Sequence, residues 1–199
     1  STGELGDLGF TANEIAVSMG SGPPSQAALR ELADQGLAME LVATKSLEVT
    51  IDDLRKAGCT VPTEEAMVAA VAKAKLESVA SLKQARSVDV SKLTLDDAEG
   101  AALVWAIALN ACPQLSDIVF TKNAFGFKTS SALAQFLRYN RSVKSVDVHE
   151  NQVDDAGAAI FGKMLSVNGT LLKLRLSDNK IHVAGVETIC DGVCGNCTL

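Results

Sequence analysis

Three cysteines crowd the stretch CDGVCGNCTL at 190–199, with the spacing C-x3-C-x2-C. Thiolates are preferred ligands of zinc and of iron–sulfur clusters, so Cys190, Cys194 and Cys197 could hold a metal if their sulfurs converge and a fourth ligand joins them. Paired carboxylates, Asp96/Asp97 and Asp154/Asp155, are the residue type for general acid–base work. Three triplets, NRS at 140–142, NGT at 168–170 and NCT at 196–198, match the N-x-[ST] glycosylation acceptor. Each chemistry needs particular elements to position it, and those elements are written in a repeat.

The segments LSDIVFTKNAF (115–125), VKSVDVHENQV (143–153) and LLKLRLSDNKI (171–181) share one pattern, apolar-x-x-apolar-x-apolar-x-x-Asn-x-apolar. Leu115, Val143 and Leu171 stand 28 apart, as do Asn123, Asn151 and Asn179, and again Asn140, Asn168 and Asn196. Between the two Asn sets lie Leu133/Leu137, Phe161/Leu165 and Ile189/Val193, each an i, i+4 pair that turns one helix face inward. An earlier unit begins at ARSVDVSKLTL (85–95), offset by 30 because Ala111 and Cys112 lengthen a loop, with Leu93 in place of the Asn. The reading is strand, loop and helix four times over. Neither layer buries its apolar face alone, so stacked neighbours make the core. The amides of Asn123, Asn151 and Asn179 are expected to form a structural ladder, satisfying backbone groups where each strand turns away.

This pattern resembles leucine-rich repeats of the ribonuclease-inhibitor type over residues 85–199. With a helix-rich segment ahead of short, degenerate repeats, it is also loosely similar to the C-terminal domain of tropomodulins, which cap actin filament ends. The resemblance implies an α/β solenoid, short parallel strands on one face and helices on the other, with an α-helical N-terminal region.

In that register the chemistry of the opening residues recedes. Cys190 falls in the slot of Ala134 and Gly162, Cys194 in that of Arg138 and Ser166, and Cys197 in that of Arg141 and Gly169. The spacing is similar to the cluster motif of radical-SAM enzymes, but that motif belongs on a loop after the first strand of a long α/β barrel. His149 and His182 are expected on other surfaces. The cysteines therefore read as repeat filler, with no metal and no cofactor expected. The three sequons share one position, the helix-to-strand turn, where Asn tolerates the left-handed conformation. The turn is expected to be exposed, so that Asn140→Ala costs less than Asn151→Leu. The acid pairs sit where a loop enters a helix, and acids there favour the helix start.

Residues 1–80 read as helical. SGPPSQAALRELADQGLAMELV places Leu29, Leu32, Ala33, Leu37 and Leu41 near helical spacing, with Gly36 as a bend or stop. TIDDLRKAG (50–58) is a short helix between Thr50 and Gly58. PTEEAMVAAVAKAKLESVASL follows with Thr63 as N-cap and an apolar stripe of Val68, Val71, Ala72, Leu76 and Val79. LGFTANE (8–14) echoes AGCTVPTEE (57–65), read as shared cap chemistry. The domain reading is a helical region over 1–84 that caps the solenoid, then four repeats over 85–199.

Several function classes fall away on composition. The net charge is −6 and no run of Lys or Arg exceeds two, so nothing tracks a phosphate backbone and nucleic acid is not expected. The apolar run AALVWAIAL (101–109) is about half the ~20 residues of a membrane span, so no membrane insertion is expected. Five cysteines, an odd number, suit the cytoplasm or another reducing intracellular compartment. No P-loop, G-x-S-x-G, H-E-x-x-H or dinucleotide fingerprint occurs, and no enzyme is expected.

What remains is a non-catalytic protein–protein interaction module or assembly subunit, binding a protein partner through the strand face or the open end of the solenoid. By alternation, Asp89, Val119, Asp147 and Arg175 should line one row of that face, and Ser91, Thr121, His149 and Ser177 the next. Of these, Asp89, Asp147, His149, Arg175 and Ser177 are the candidate partner-binding residues. Two alternatives follow from the resemblance: an actin-filament-end binder and a GTPase-activating protein, since the Ran GTPase activator is built on the same repeat. A protein in a large complex, or actin, is the expected kind of partner. Leu199 aligns with Leu171 and Val143, so a fifth unit is expected to begin there and the array to be truncated. Ile181, Ile189 and Val193 would then stay open to water unless further chain or another subunit covers them.

Overall fold

The computed structural model describes residues 24–34, 37–43, 49–76 and 78–199. The chain divides into two compact units, Ser1–Pro62 and Thr63–Leu199. In the first, α1 (Gln26–Asp34) packs against both α2 (Ala38–Ala43) and α3 (Ile51–Lys56). Leu29 and Leu32 of α1, Leu41 of α2 and Leu54 of α3 are buried. Thr50 caps α3 by a capping box with Asp53, and Gly58 follows its end at φ 82°. Gly36 and the LGFTANE stretch lie outside the described residues.

The second unit opens with α4 (Glu64–Lys73), whose N-cap Thr63 accepts from the Ala66 N–H. The helix stops earlier than its sequence suggests, with Lys75 in the left-handed region at φ 55°, before a 3-10 turn at Ala80–Gln84. Its buried stripe is Met67, Ala70, Val71 and Ala74, while Val68 is exposed. Two overlapping stripes were available on this Ala-rich helix, and the one carrying Met67 buries the larger side chain. α4 packs against α5 (Asp97–Leu109), and Lys73 reaches Glu99 at 2.6 Å. With α4 on one side, the next helix on the other and the sheet beneath, α5 is buried from Ala102 to Ala108. That is the place of the long apolar run: a helix apolar all round is one covered all round.

The three remaining helices are α6 (Phe127–Tyr139), α7 (Asp155–Leu165) and α8 (Val183–Cys194). The strands are β1 (Ser87–Asp89), β2 (Asp117–Val119), β3 (Ser145–Asp147) and β4 (Lys173–Arg175). They form one parallel sheet in the order β1-β2-β3-β4. Val88, Ile118, Val146 and Leu174 are register partners, and the first three are buried. Behind them Leu133, Leu137, Phe161 and Leu165 are buried too, from the i, i+4 pairs of α6 and α7. This is the leucine-rich-repeat solenoid: strands on one face, stacked helices on the other. Among the described residues no helix is long and apolar enough to cross a membrane.

Candidate functional site

The strand face is built by register. Because β1 to β4 pair in parallel without slippage, Asp89, Val119, Asp147 and Arg175 are Cα partners across all four strands. The backbone ladder continues past the strand ends: the N–H of Lys92 donates to Thr121, that of Lys122 to His149 and that of Glu150 to Ser177. Ser91, Thr121, His149 and Ser177 therefore form the next row.

Around His149 the structure gathers a polar cluster that sequence reasoning saw only in part. His149 Nδ1 lies 2.9 Å from Ser177 Oγ and 3.2 Å from an Asp178 carboxylate oxygen, while Nε2 lies 2.8 Å from Glu150. Glu150 also pairs with Lys122 at 3.0 Å. The hydrogen bond from that ammonium holds the Glu150 carboxyl below the ordinary carboxylate range, with His149 adding to it. Arg175 lies 3.6 Å from Asp147, whose carboxylate accepts from the His149 N–H. Asp89 stands apart from this cluster and accepts from Ser91 instead. Lys122, Glu150 and Asp178 were missed. The signal for them was their shared repeat position, where all three, with Lys92, take a left-handed φ between 53° and 60°.

Beneath the face run two sets of asparagines. Asn123, Asn151 and Asn179 each accept from a backbone N–H of the preceding repeat, at Leu95, Phe125 and Val153. Each amide donates back to that repeat, at Val90, Phe120 and Val148, and to its own loop. The second set corrects an expectation. The turn at Asn140 is half-buried rather than exposed, with Asn140 extended at φ −67°. Its side-chain oxygen accepts from the Ser142 and Val143 N–H groups. Asn168 is 2% exposed and donates to Leu137 O at 2.6 Å. A glycan on that nitrogen would have to leave a buried position, so the fold speaks against the NGT sequon as an acceptor.

The acid pairs divide their labour. Asp96 caps its own helix α5, accepting from Ala98 and Glu99. Asp97 reaches the next helix, accepting from the N–H groups of Gly126, Lys128 and Thr129 at 2.7–2.9 Å. That supplies the cap α6 lacks, since its own N-cap Gly126 has no side chain to offer. Asp154 and Asp155 repeat the arrangement for α7 and for the His182 N–H at the start of α8. These carboxylates hold helix ends.

A pH prediction follows. Burial raises the Asp97 pKa, but the three N–H donors and Thr129 outweigh it and leave it lowered. A lowered folded value gives stability that is present above the unfolded value of about 3.9 and lost as pH falls through the folded one. Asp97→Ala is therefore expected to cost about 1–2 kcal/mol near neutrality, and less below about pH 4. Urea melts at both pH values check it; a gap that does not narrow on acidification assigns the loss to packing instead.

The cysteines differ by place. Cys112 is buried, which pushes its thiol up to about 11, whereas Cys190, Cys194 and Cys197 are exposed. Among the described residues no group of three or more His, Cys, Asp or Glu is placed to hold a metal.

Comparison with known proteins meets this architecture. The family model described as Leucine Rich repeat matches residues 139–159 and 167–190. NACHT, LRR and PYD domains-containing protein 12 of Mus musculus is 30% identical over 105 residues, which cover 50% of this chain and 9% of that protein. The chain thus spans under a tenth of the length of this curated relative. Repeat period, parallel register, stacked helices and family match agree that this chain carries a leucine-rich-repeat solenoid.

Proposed function

We propose that the chain is a non-catalytic protein-interaction module with repeats of the ribonuclease-inhibitor type, and that its strand face around His149 holds a protein partner. The observation that carries the reading is the unbroken register, which sets polar side chains of four repeats in rows on a rigid sheet. Charges there are already ordered against one another, as in Lys122–Glu150 and Arg175–Asp147, so a partner meets them with less side-chain entropy left to lose. The loose tropomodulin likeness makes actin one partner to look for. A small GTPase and a subunit of a large assembly are two others.

The test is capture from a lysate by the wild-type chain and by Asp147→Arg/Arg175→Asp. The swap keeps an opposite-charge pair between the two positions but inverts the pattern offered to a partner. We expect the chain to stay folded, with a loss of about 1 kcal/mol because the His149 N–H loses its Asp147 acceptor, and the affinity for the captured protein to fall about tenfold, or about 1.4 kcal/mol. If the swap and His149→Ala both leave capture intact, the face is idle.

A further inference from the structure

The charges that follow each strand sort by sign along the solenoid. Lys92, Lys122, Glu150 and Asp178 share one repeat position, one left-handed backbone conformation and solvent exposure. The ladder bonds from the N–H groups of Lys92, Lys122 and Glu150 to the next repeat keep this row at strand spacing, about 4.8 Å per step and about 14 Å from end to end. Neighbours in it reach one another, as Lys122 and Glu150 do at 3.0 Å. From the first repeat to the last, the row runs positive, positive, negative, negative. The strand row beside it, Asp89, Val119, Asp147 and Arg175, starts negative and ends positive. Each row is therefore complementary to itself in reverse order.

We propose that the strand face binds a second copy of this chain, about a twofold axis that runs along the strands between β2 and β3. This rests on the reading of the strand face as a binding face and names its occupant. The axis reverses row order across the contact. Lys92 of one copy then meets Asp178 of the other, Lys122 meets Glu150, and Asp89 meets Arg175, each pair made twice. At the centre, Lys122 and Glu150 of the two copies alternate in sign around a square, so each keeps its own partner and gains another. In the flanking row, Ser87 meets Lys173 and Asp117 meets Ser145, so no like charges face each other there either. A contact that keeps row order sets Lys on Lys and Glu on Glu, and like charges across an interface cost binding energy. The net charge of −6 opposes approach, but the loop row is itself neutral, and physiological salt screens exposed charges beyond about 8 Å. The face spans about 14 Å across the strands and about 17 Å along them, less than the ~800 Å² each partner gives a stable interface. The dimer is therefore weak and reversible.

Sedimentation velocity on the purified 199-residue chain, over a rising concentration series, reads the association with no other protein present. A concentration-dependent dimer is expected, weakened by high salt. Lys122→Glu and Glu150→Lys should each weaken it about tenfold, because each sets two like-charge pairs face to face. Mixed in equal amounts, the two variants should associate again, since the charge reversed in one copy then faces the charge reversed in the other. Each variant also loses its own Lys122–Glu150 bond, so urea melts verify folding. Lys92→Glu and Asp178→Lys, at the two ends of the row, form a second pair with the same expected rescue. Three results overturn the proposal. The first is a wild-type chain that stays monomeric at the highest concentration reached. The second is a set of variants that associate as the wild type does. The third is a pair of mixtures that stay monomeric, which shows charge acting without this twofold pairing. A monomeric chain leaves capture of a different protein by the strand face untouched, so the two readings fail separately.

Discussion

Asn151→Leu is expected to lower stability in urea by about 3 kcal/mol, the upper end for buried polar groups left without partners. Asn151 is 4% exposed. Its oxygen accepts from the Phe125 N–H at 3.1 Å, and its amide donates to Phe120, Val148 and His149 at 2.8–3.1 Å. Leucine has the same branched skeleton with bulkier methyl groups, so no cavity opens and the loss measures unpaired backbone with some overpacking added. The carbonyls are shared along the ladder: Phe120 O also receives Asn123, and Val148 O also receives Asn179. Asn151→Leu and Asn179→Leu should therefore combine non-additively. Asn140→Ala, whose oxygen serves only its own turn, is expected to cost about 1 kcal/mol. Because Asn140 is half-buried, that gap is narrower than an exposed turn would give. Equal losses at Asn151 and Asn140 would mean that the turns hold the stack as firmly as the ladder does.

The repeat was legible because spacing is a one-dimensional property. A step of 28 shared by Leu115, Val143 and Leu171 implies both the parallel strands and the rows across them. The Asn ladder between repeats was legible too, but the reach of the acid pairs from one repeat to the next was not. Asp96 and Asp97 look alike in sequence, yet Asp97 bonds N–H groups about thirty residues on. The hint was negative: Gly126 and His182 stand at helix starts with no side-chain cap of their own. The left-handed backbone falls at Lys122, Glu150 and Asp178, in the loop after each strand, where no residue type announces it. Their φ is imposed by ladder bonds on either side, which overrides local preference. The i, i+4 pair Ile189/Val193 marked an apolar face of α8, but periodicity does not say what lies against it.

Gly162→Val is expected to cost about 3 kcal/mol or more and to act on α8 rather than on the helix that carries it. Gly162 lies on α7 where α8 crosses closest. A Cβ there would stand 2.8 Å from the Thr188 carbonyl carbon and nearer still to its oxygen. A Cβ on Gly192 of α8 would stand 2.7 Å from the Gly162 carbonyl carbon. Backbone meets backbone at this contact, so no side chain can rotate away, and added atoms must part the helices. Overpacking in a tight core costs about 1–3 kcal/mol, and parting the helices adds the exposure of Leu165 and Phe161 beneath. Because both glycines belong to one contact, Gly162→Ala and Gly192→Ala should each be destabilising and together cost less than their sum. Gly169→Ala is the control, since nothing lies within 4 Å of its Cβ position. Hydrogen exchange reads the location: amides of α8 should lose protection in Gly162→Val while those of α5 and α6 keep theirs. Uniform loss across the solenoid would show that the four repeats unfold as one block, with α8 no looser than the rest.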